Sequence, residues 1–254
     1  MTTDVLDNKR AVVTGGSTGI GRAIAEELIR RGAKVMIASR RESLTRQTAE
    51  EIGADWCVVD TSRSEMICAM IDNAVSALGG LDILVNNAAL ASPSLPVQDT
   101  EEEDFDKLAS TNLKGYFMGM KYAYPHLKTT QGCVLNISSM AGVTGQTLHA
   151  AYGATKGGIN ALTKCAAADW GPDRVRVNAL CPTGVWTDAL RTWCEEQPDK
   201  GEIERYLDRI HALGYCPDAE PIATAAAFLC SDDARFMTGA IVPVSGGSEC
   251  GYKL

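Results

Sequence analysis

Short runs of β-branched and other apolar residues alternate along this chain with longer stretches of helical periodicity, and few folds accept that alternation. The first run, residues 11–14 (Ala-Val-Val-Thr), leads into a helical pattern over about 19–31, where Ile20, Ile24 and Leu28 repeat every fourth residue and Gly32 supplies a stop. Runs at 35–38, 56–59, 82–85, 133–137, 175–180 and 241–244 follow. Helical patterns near 44–52, 65–78, 102–127, 151–170 and 221–229 lie between them. The β-type runs are rich in Ala, Val, Ile and Leu, which suits strands covered on both faces by helices. This rhythm predicts an α/β fold: a single doubly wound parallel sheet with right-handed crossovers and helices on both faces. No linker, repeat or low-complexity segment interrupts the 254 residues, so one domain is expected over 1–254. Residues 181–218 carry Trp, Cys and charge without a strand pattern, and 184–216 is expected to be an irregular lid.

Composition narrows the function. A formal net charge of −8 repels phosphate backbones, which argues against a nucleic-acid partner. The nine cysteines are odd in number, form no CxxC and sit mostly in apolar runs, a pattern of reduced thiols in a cytoplasmic protein. The three histidines have no chelating spacing, so no metal site is expected. The N-terminus carries acidic residues and no apolar segment, and the longest uncharged stretch, 129–155, is rich in polar groups. Neither a signal peptide nor a membrane span is expected.

The first strand and first helix are joined by Thr14-Gly-Gly-Ser-Thr-Gly-Ile-Gly21. Glycines here allow a tight turn and bring backbone N–H groups to a pyrophosphate at a helix N-terminus. Gly15, Ser17, Thr18, Gly19, Ile20 and Gly21 are therefore candidate dinucleotide ligands. The end of the second strand reads Ser39-Arg40-Arg41, with no acid for both ribose hydroxyls. Ser39 and Arg40 favour the 2′-phosphate of NADP(H), with NAD(H) possible, and Arg41 reads as the start of a solvated helix. Further on, Tyr152-Gly-Ala-Thr-Lys156 sets a phenol and an ammonium four residues apart on one helix face. The nearby ammonium should favour phenolate and lower the tyrosine's pKa, making an acid–base pair.

Taken in order, these pieces resemble a short-chain dehydrogenase/reductase of the 250-residue type, from about Arg10 to Gly247. The resemblance rests on TGGSTGIG at 14–21, Asp60, Asn86-Asn-Ala-Ala89, Asn112-Leu-Lys-Gly115, Asn136-Ile-Ser-Ser139, YxxxK and Arg176-Val-Asn-Ala-Leu180. It implies an NAD(P)(H)-dependent enzyme interconverting a secondary alcohol and a ketone. Tyr152 would exchange the proton, Lys156 would tune it and bind the nicotinamide ribose, and Ser139 would hold the substrate oxygen. Asn112 would hold a relay water, Asp60 and Thr61 would lie at the adenine and Asn86 on the adenosine side, with Val185 and Thr187 at the carboxamide. A homotetramer is implied, its helices around Asn112 and Tyr152 packed on symmetry mates. The chain departs from the family at Thr183-Gly184, where glycine usually follows the proline, and at Ala89, Tyr215 and Ser245.

Specificity is expected from residues 90–97, 140–149 and the lid, with Gln146, His149, Trp186 and Trp193 as substrate candidates. Their polar and aromatic mixture suits a small-molecule sugar, polyol or cyclic alcohol. Two alternatives are a reductase of a bulkier apolar ketone (hydroxysteroid or 3-oxoacyl type) and a catalytically silent dinucleotide-binding regulator. The intact Asn112, Ser139, Tyr152 and Lys156 argue against the last.

Overall fold

The computed structural model describes residues 5–250. Seven strands, β1 (Arg10–Thr14), β2 (Lys34–Ser39), β3 (Asp55–Val58), β4 (Ile83–Asn86), β5 (Cys133–Ile137), β6 (Arg176–Pro182) and β7 (Ile241–Val244), form one sheet in the order β3-β2-β1-β4-β5-β6-β7. Every pairing is parallel. The winding reverses between β1 and β4, and at that switch point the C-terminal strand ends open a crevice.

Helices α1 (Gly19–Arg30), α2 (Glu42–Ile52), α3 (Ser64–Leu78), α4 (Glu102–Leu108), α5 (Gly115–Thr130), α6 (Ala150–Trp170), α7 (Asp188–Glu195), α8 (Lys200–Arg209) and α9 (Glu220–Cys230) complete the fold. Successive strand residues serve opposite layers. Ala11, Val13, Ile83, Val85 and Leu135 join Ile24 and Leu28 of α1 and Ala226 of α9. Val12, Leu84 and Val134 join Met70 and Ile71 of α3, Met120 of α5 and Ala166 of α6. A two-residue side-chain period with both faces buried is why these strands read as apolar-rich runs.

Two segments differ from the sequence expectation. The helical pattern over 102–127 is not one α-helix: α4 passes through a π-helical stretch, Ala109–Lys114, into α5. The widened turn takes in one extra residue and lets buried Asn112 grip the β4 exit, accepting from Leu90 N at 2.8 Å and donating to Leu90 O at 2.8 Å. Residues 184–216 are not irregular either, since α7 and α8 fill most of the segment. Thr187 caps α7 by accepting from Leu190 N at 3.2 Å, and Asp199 caps α8 by accepting from Glu202 N at 3.1 Å. Cys194, Leu207 and Cys216 form a small core with Trp186, Leu190, Ile203 and Ile210 against it. The dense charges of this segment hide the i, i+4 apolar spacing that anchors it.

Candidate active site

The β1–α1 turn is shaped by how closely neighbouring backbone approaches it. Gly15 has φ +66°, and a Cβ there would stand 2.8 Å from Asn87 Nδ2; a Cβ on Gly21 would strike the Gly15 carbonyl oxygen. Thr14 and Asn87 lock this turn to the β4 exit. Thr14 Oγ1 accepts from Asn87 N at 2.9 Å and from Ala88 N at 3.1 Å, while Asn87 Nδ2 donates to Thr14 O at 2.9 Å. From α2, Thr48 donates to Ser17 O at 3.1 Å.

A cleft of about 520 Å³ runs over this turn, lined by Gly15, Ser17, Thr18, Gly19, Ile20, Gly21, Ser39, Arg40, Thr61 and Thr187 among the expected ligands. Five expected ligands are not among the lining residues: Tyr152 and Lys156 of α6, and Asn86, Asp60 and Val185. Asn86 is buried and donates to Asn136 Oδ1 at 3.0 Å, which places it in a polar chain continued by Asn136 Nδ2 to Thr163 Oγ1 at 3.0 Å. Alternation along the strand end gives the cleft to Asn87 instead. Asp60 closes its own turn by accepting from Ser62 N at 3.0 Å and Ser62 Oγ at 2.7 Å. Burial pushes its carboxyl up, but those bonds and the charges of Arg40 and Arg63 outweigh it and hold the pKa below the ordinary value. Val185 packs into the core. Arg41 stands exposed at the N-cap of α2, as the start of a solvated helix, and also lines the cleft.

Helix α6 carries Tyr152 and Lys156. Ser138 and Ser139 separate cleanly: Ser138 is buried and donates to Lys156 O at 3.1 Å, whereas Ser139 caps a single 3₁₀ turn, Met140–Gly142, accepting from Ala141 N at 3.1 Å. The Ser139 hydroxyl acts to lower the Tyr152 pKa. The turn rests directly on α6, and Asn160 Nδ2 ties it there by donating to Gly142 O at 2.9 Å. Asn112 Nδ2 reaches Thr155 Oγ1 at 3.2 Å, and Thr155 in turn donates to Tyr152 O at 2.8 Å.

Electrostatics here correct one expectation. Burial raises the Tyr152 pKa, against the lowering influence of the Ser139 hydroxyl, so the phenol stays protonated at neutral pH. Burial lowers the Lys156 ammonium from 10.5 to about 7, opposed by the Cys181 thiol. Desolvation thus outweighs the pair attraction in this enclosed site, where Lys156 Nζ donates to Ile137 O at 2.7 Å.

The four substrate candidates separate. The half-buried His149 ring stands edge-on to Tyr152, with centroids 6.0 Å apart. It occupies the N-cap position of α6 without capping: its Nδ1 meets Thr147 O at 2.9 Å and its Nε2 meets Ser94 Oγ at 3.3 Å. Gln146 and Trp193 are exposed, and Trp186 packs against the small core of Cys194, Leu207 and Cys216 with Arg191 5.0 Å over its ring. Among the described residues no helix is long and apolar enough to cross a membrane.

A family model described as Enoyl-(Acyl carrier protein) reductase matches residues 15–249. The L-fucose dehydrogenase of Bos taurus is 35% identical over 245 residues, covering 96% of this chain and 90% of its own. The meso-2,3-butanediol dehydrogenase of Serratia marcescens is 36% identical over 245 residues, covering 95% of each. The crystal structure of levodione reductase superposes with a TM-score of 0.91 at 26% identity, covering 97% of this chain and 99% of that one. With the seven-stranded parallel sheet and the Tyr152–Lys156 pair already in view, the chain belongs to the short-chain dehydrogenase/reductase family, oxidoreductases that interconvert alcohol and carbonyl groups with a nicotinamide dinucleotide.

Proposed function

We propose that this enzyme is an NADP(H)-preferring dehydrogenase of a polar secondary alcohol (a sugar, polyol or cyclic alcohol), with Tyr152 exchanging the proton at the reacting oxygen. The substrate class rests on one observation: the mouth beside Tyr152 is furnished by the Ser94 hydroxyl and the His149 imidazole, 3.3 Å apart. Two hydrogen-bonding groups there can meet a second oxygen on the substrate, which favours a polar alcohol over an apolar ketone. The names of the fucose and butanediol relatives agree with this reading.

The residues fit a dinucleotide. Ser39 Oγ is buried without a partner at the end of β2, beside Arg40 and Arg41, and Asp188 is the one acid among the described residues lining the cleft. An orphaned hydroxyl next to two guanidinium groups suits a phosphate ester, which accepts from all three. The backbone of 15–21 would hold the pyrophosphate, Thr187 the carboxamide end and Lys156 the adjoining ribose. When bound, the dinucleotide supplies or takes up hydride. Ser139 holds the substrate oxygen as charge develops on it, and Tyr152 gives or removes the proton there. The chain works as one catalytic domain, with 184–216 as the substrate lid. Its reduced thiols fit the cytoplasm, and the half-exposed Phe117 beside Leu113 and Leu162 fits a homotetramer built on α5 and α6.

Two variants test this. Tyr152→Phe is expected to lower kcat by ~10²–10⁴-fold with dinucleotide affinity kept; a variant near the wild-type rate refutes the assignment. Wild type is expected to show higher kcat/KM with NADP(H), and Arg40→Asp to reverse it. Preference for NAD(H) in the wild type refutes the phosphate reading.

A further inference from the structure

Tyr116, on the first turn of α5, is among the largest fully enclosed side chains in the molecule, 2% exposed, and it meets the lysine of the acid–base pair. Its hydroxyl donates to Ile137 O at 3.1 Å and accepts from Lys156 Nζ at 3.4 Å. Its ring centroid lies 5.2 Å from the same Nζ, on a par with the 5.6 Å to the Tyr152 ring. Lys156 is 1% exposed, so no bulk water surrounds its ammonium. Of the three N–H donors, one goes to Ile137 O at 2.7 Å and a second to the Tyr116 oxygen. A core tyrosine needs no such contact to fill space, since a phenylalanine packs equally well.

We propose that Tyr116 is a positioning residue for the acid–base pair, its hydroxyl and ring face holding the Lys156 ammonium beneath Tyr152. The inference rests on the reading that Tyr152 and Lys156 act together. Burial and the Tyr152 charge keep the Tyr116 pKa well above the ordinary value, so its oxygen is a permanent neutral acceptor. The titratable groups facing the ammonium are Tyr116 from α5, Tyr152 from its own helix and the Cys181 thiol from β6. Of these, Tyr116 alone makes a hydrogen bond to Nζ among the described residues. Removing that acceptor disfavours the charged lysine, and with it the phenolate it must support.

Tyr116→Phe keeps the ring and deletes only the hydroxyl. The Lys156 side chain is followed by ¹³Cε NMR of lysine-labelled free protein, its signal identified by its loss in Lys156→Met. Tyr116→Phe is expected to lower the Lys156 titration midpoint by roughly 0.5–1 pH unit, the size of one ordinary net hydrogen bond. The alkaline limb of kcat/KM for alcohol oxidation should move the same way. A folded Tyr116→Phe protein, checked by its thermal melt, with an unmoved Lys156 midpoint overturns the proposal. Should that variant not fold, Tyr116→Met serves in its place, with the same midpoint deciding. Full turnover in Lys156→Met would instead overturn the acid–base reading itself, whatever the midpoint shows.

Discussion

A methyl group added at Gly142 should cripple catalysis by forcing the Ser139 turn away from the Lys156 backbone of α6, outside the lining of the dinucleotide cleft. A Cβ there would stand 2.5 Å from the Lys156 carbonyl carbon, 2.7 Å from Gly157 N and 2.8 Å from Lys156 Cβ, against ordinary contact from 3.4 Å outward. Two of those three atoms are backbone, so no side chain can swing away, and the turn must part from α6 by about 1 Å. α6 is a 21-residue helix held by its own ladder, whereas the Met140–Gly142 turn is secured by Gly142 N to Ser139 O at 3.0 Å and by Asn160 at 2.9 Å. The turn therefore moves, and it carries Ser139 with it. A displacement of ~1 Å in an orienting group costs up to 10²-fold in rate, and overpacking of this kind costs ~1–3 kcal/mol of stability. The expected result for Gly142→Ala is a kcat fall of that order, a lower melting temperature and unchanged dinucleotide affinity by fluorescence titration. Gly145→Ala, whose Cβ meets nothing within 4 Å, is the control and should match wild type. Wild-type kcat in a folded Gly142→Ala protein would refute the close-approach argument.

Lys156 also predicts a pH dependence of stability. Its folded pKa of about 7 lies below the ordinary 10.5, so between these values the unfolded chain binds the extra proton and stability rises with pH. Below 7 both states are charged and the burial penalty is fully present. Lys156→Met removes this component, so its stability relative to wild type should decline between pH 7 and 10, read from melting temperatures at pH 6, 8 and 10; a constant difference refutes the lowered value. For the assembly, light scattering at micromolar concentration should give the mass of four chains, and Phe117→Asp should reduce it. A monomeric wild type rules the tetramer out.

What was legible in the sequence follows physical range. Strand and helix positions came through because burial on both faces writes itself into local patterns: Val12 and Val13 are adjacent and both apolar because they serve opposite layers. The glycine turn was readable for a related reason, since the backbone approach at Gly15 and Gly21 leaves no room for any other residue. The family pattern singled out Ser139 over Ser138, and their different partners, the Ala141 N–H against the Lys156 carbonyl, give the physical ground for that choice. Direction of a side chain at an element's end was not legible. Asn86 and Asn87 are the same residue type, one step apart, and only the β4–β5 register decides that Asn86 meets Asn136 while Asn87 faces the cleft. The π-helical stretch at 109–114 was equally hidden, because it answers to a bond with Leu90 22 positions away. The same limit explains the lysine. Four-residue spacing places Lys156 near Tyr152 and suggests attraction, but the sign of the pKa shift is set by how completely water is excluded, and that depends on α5, β5 and β6 closing around Nζ together. Local spacing sets which groups meet; the enclosure built by distant strands sets what charge they carry when they do.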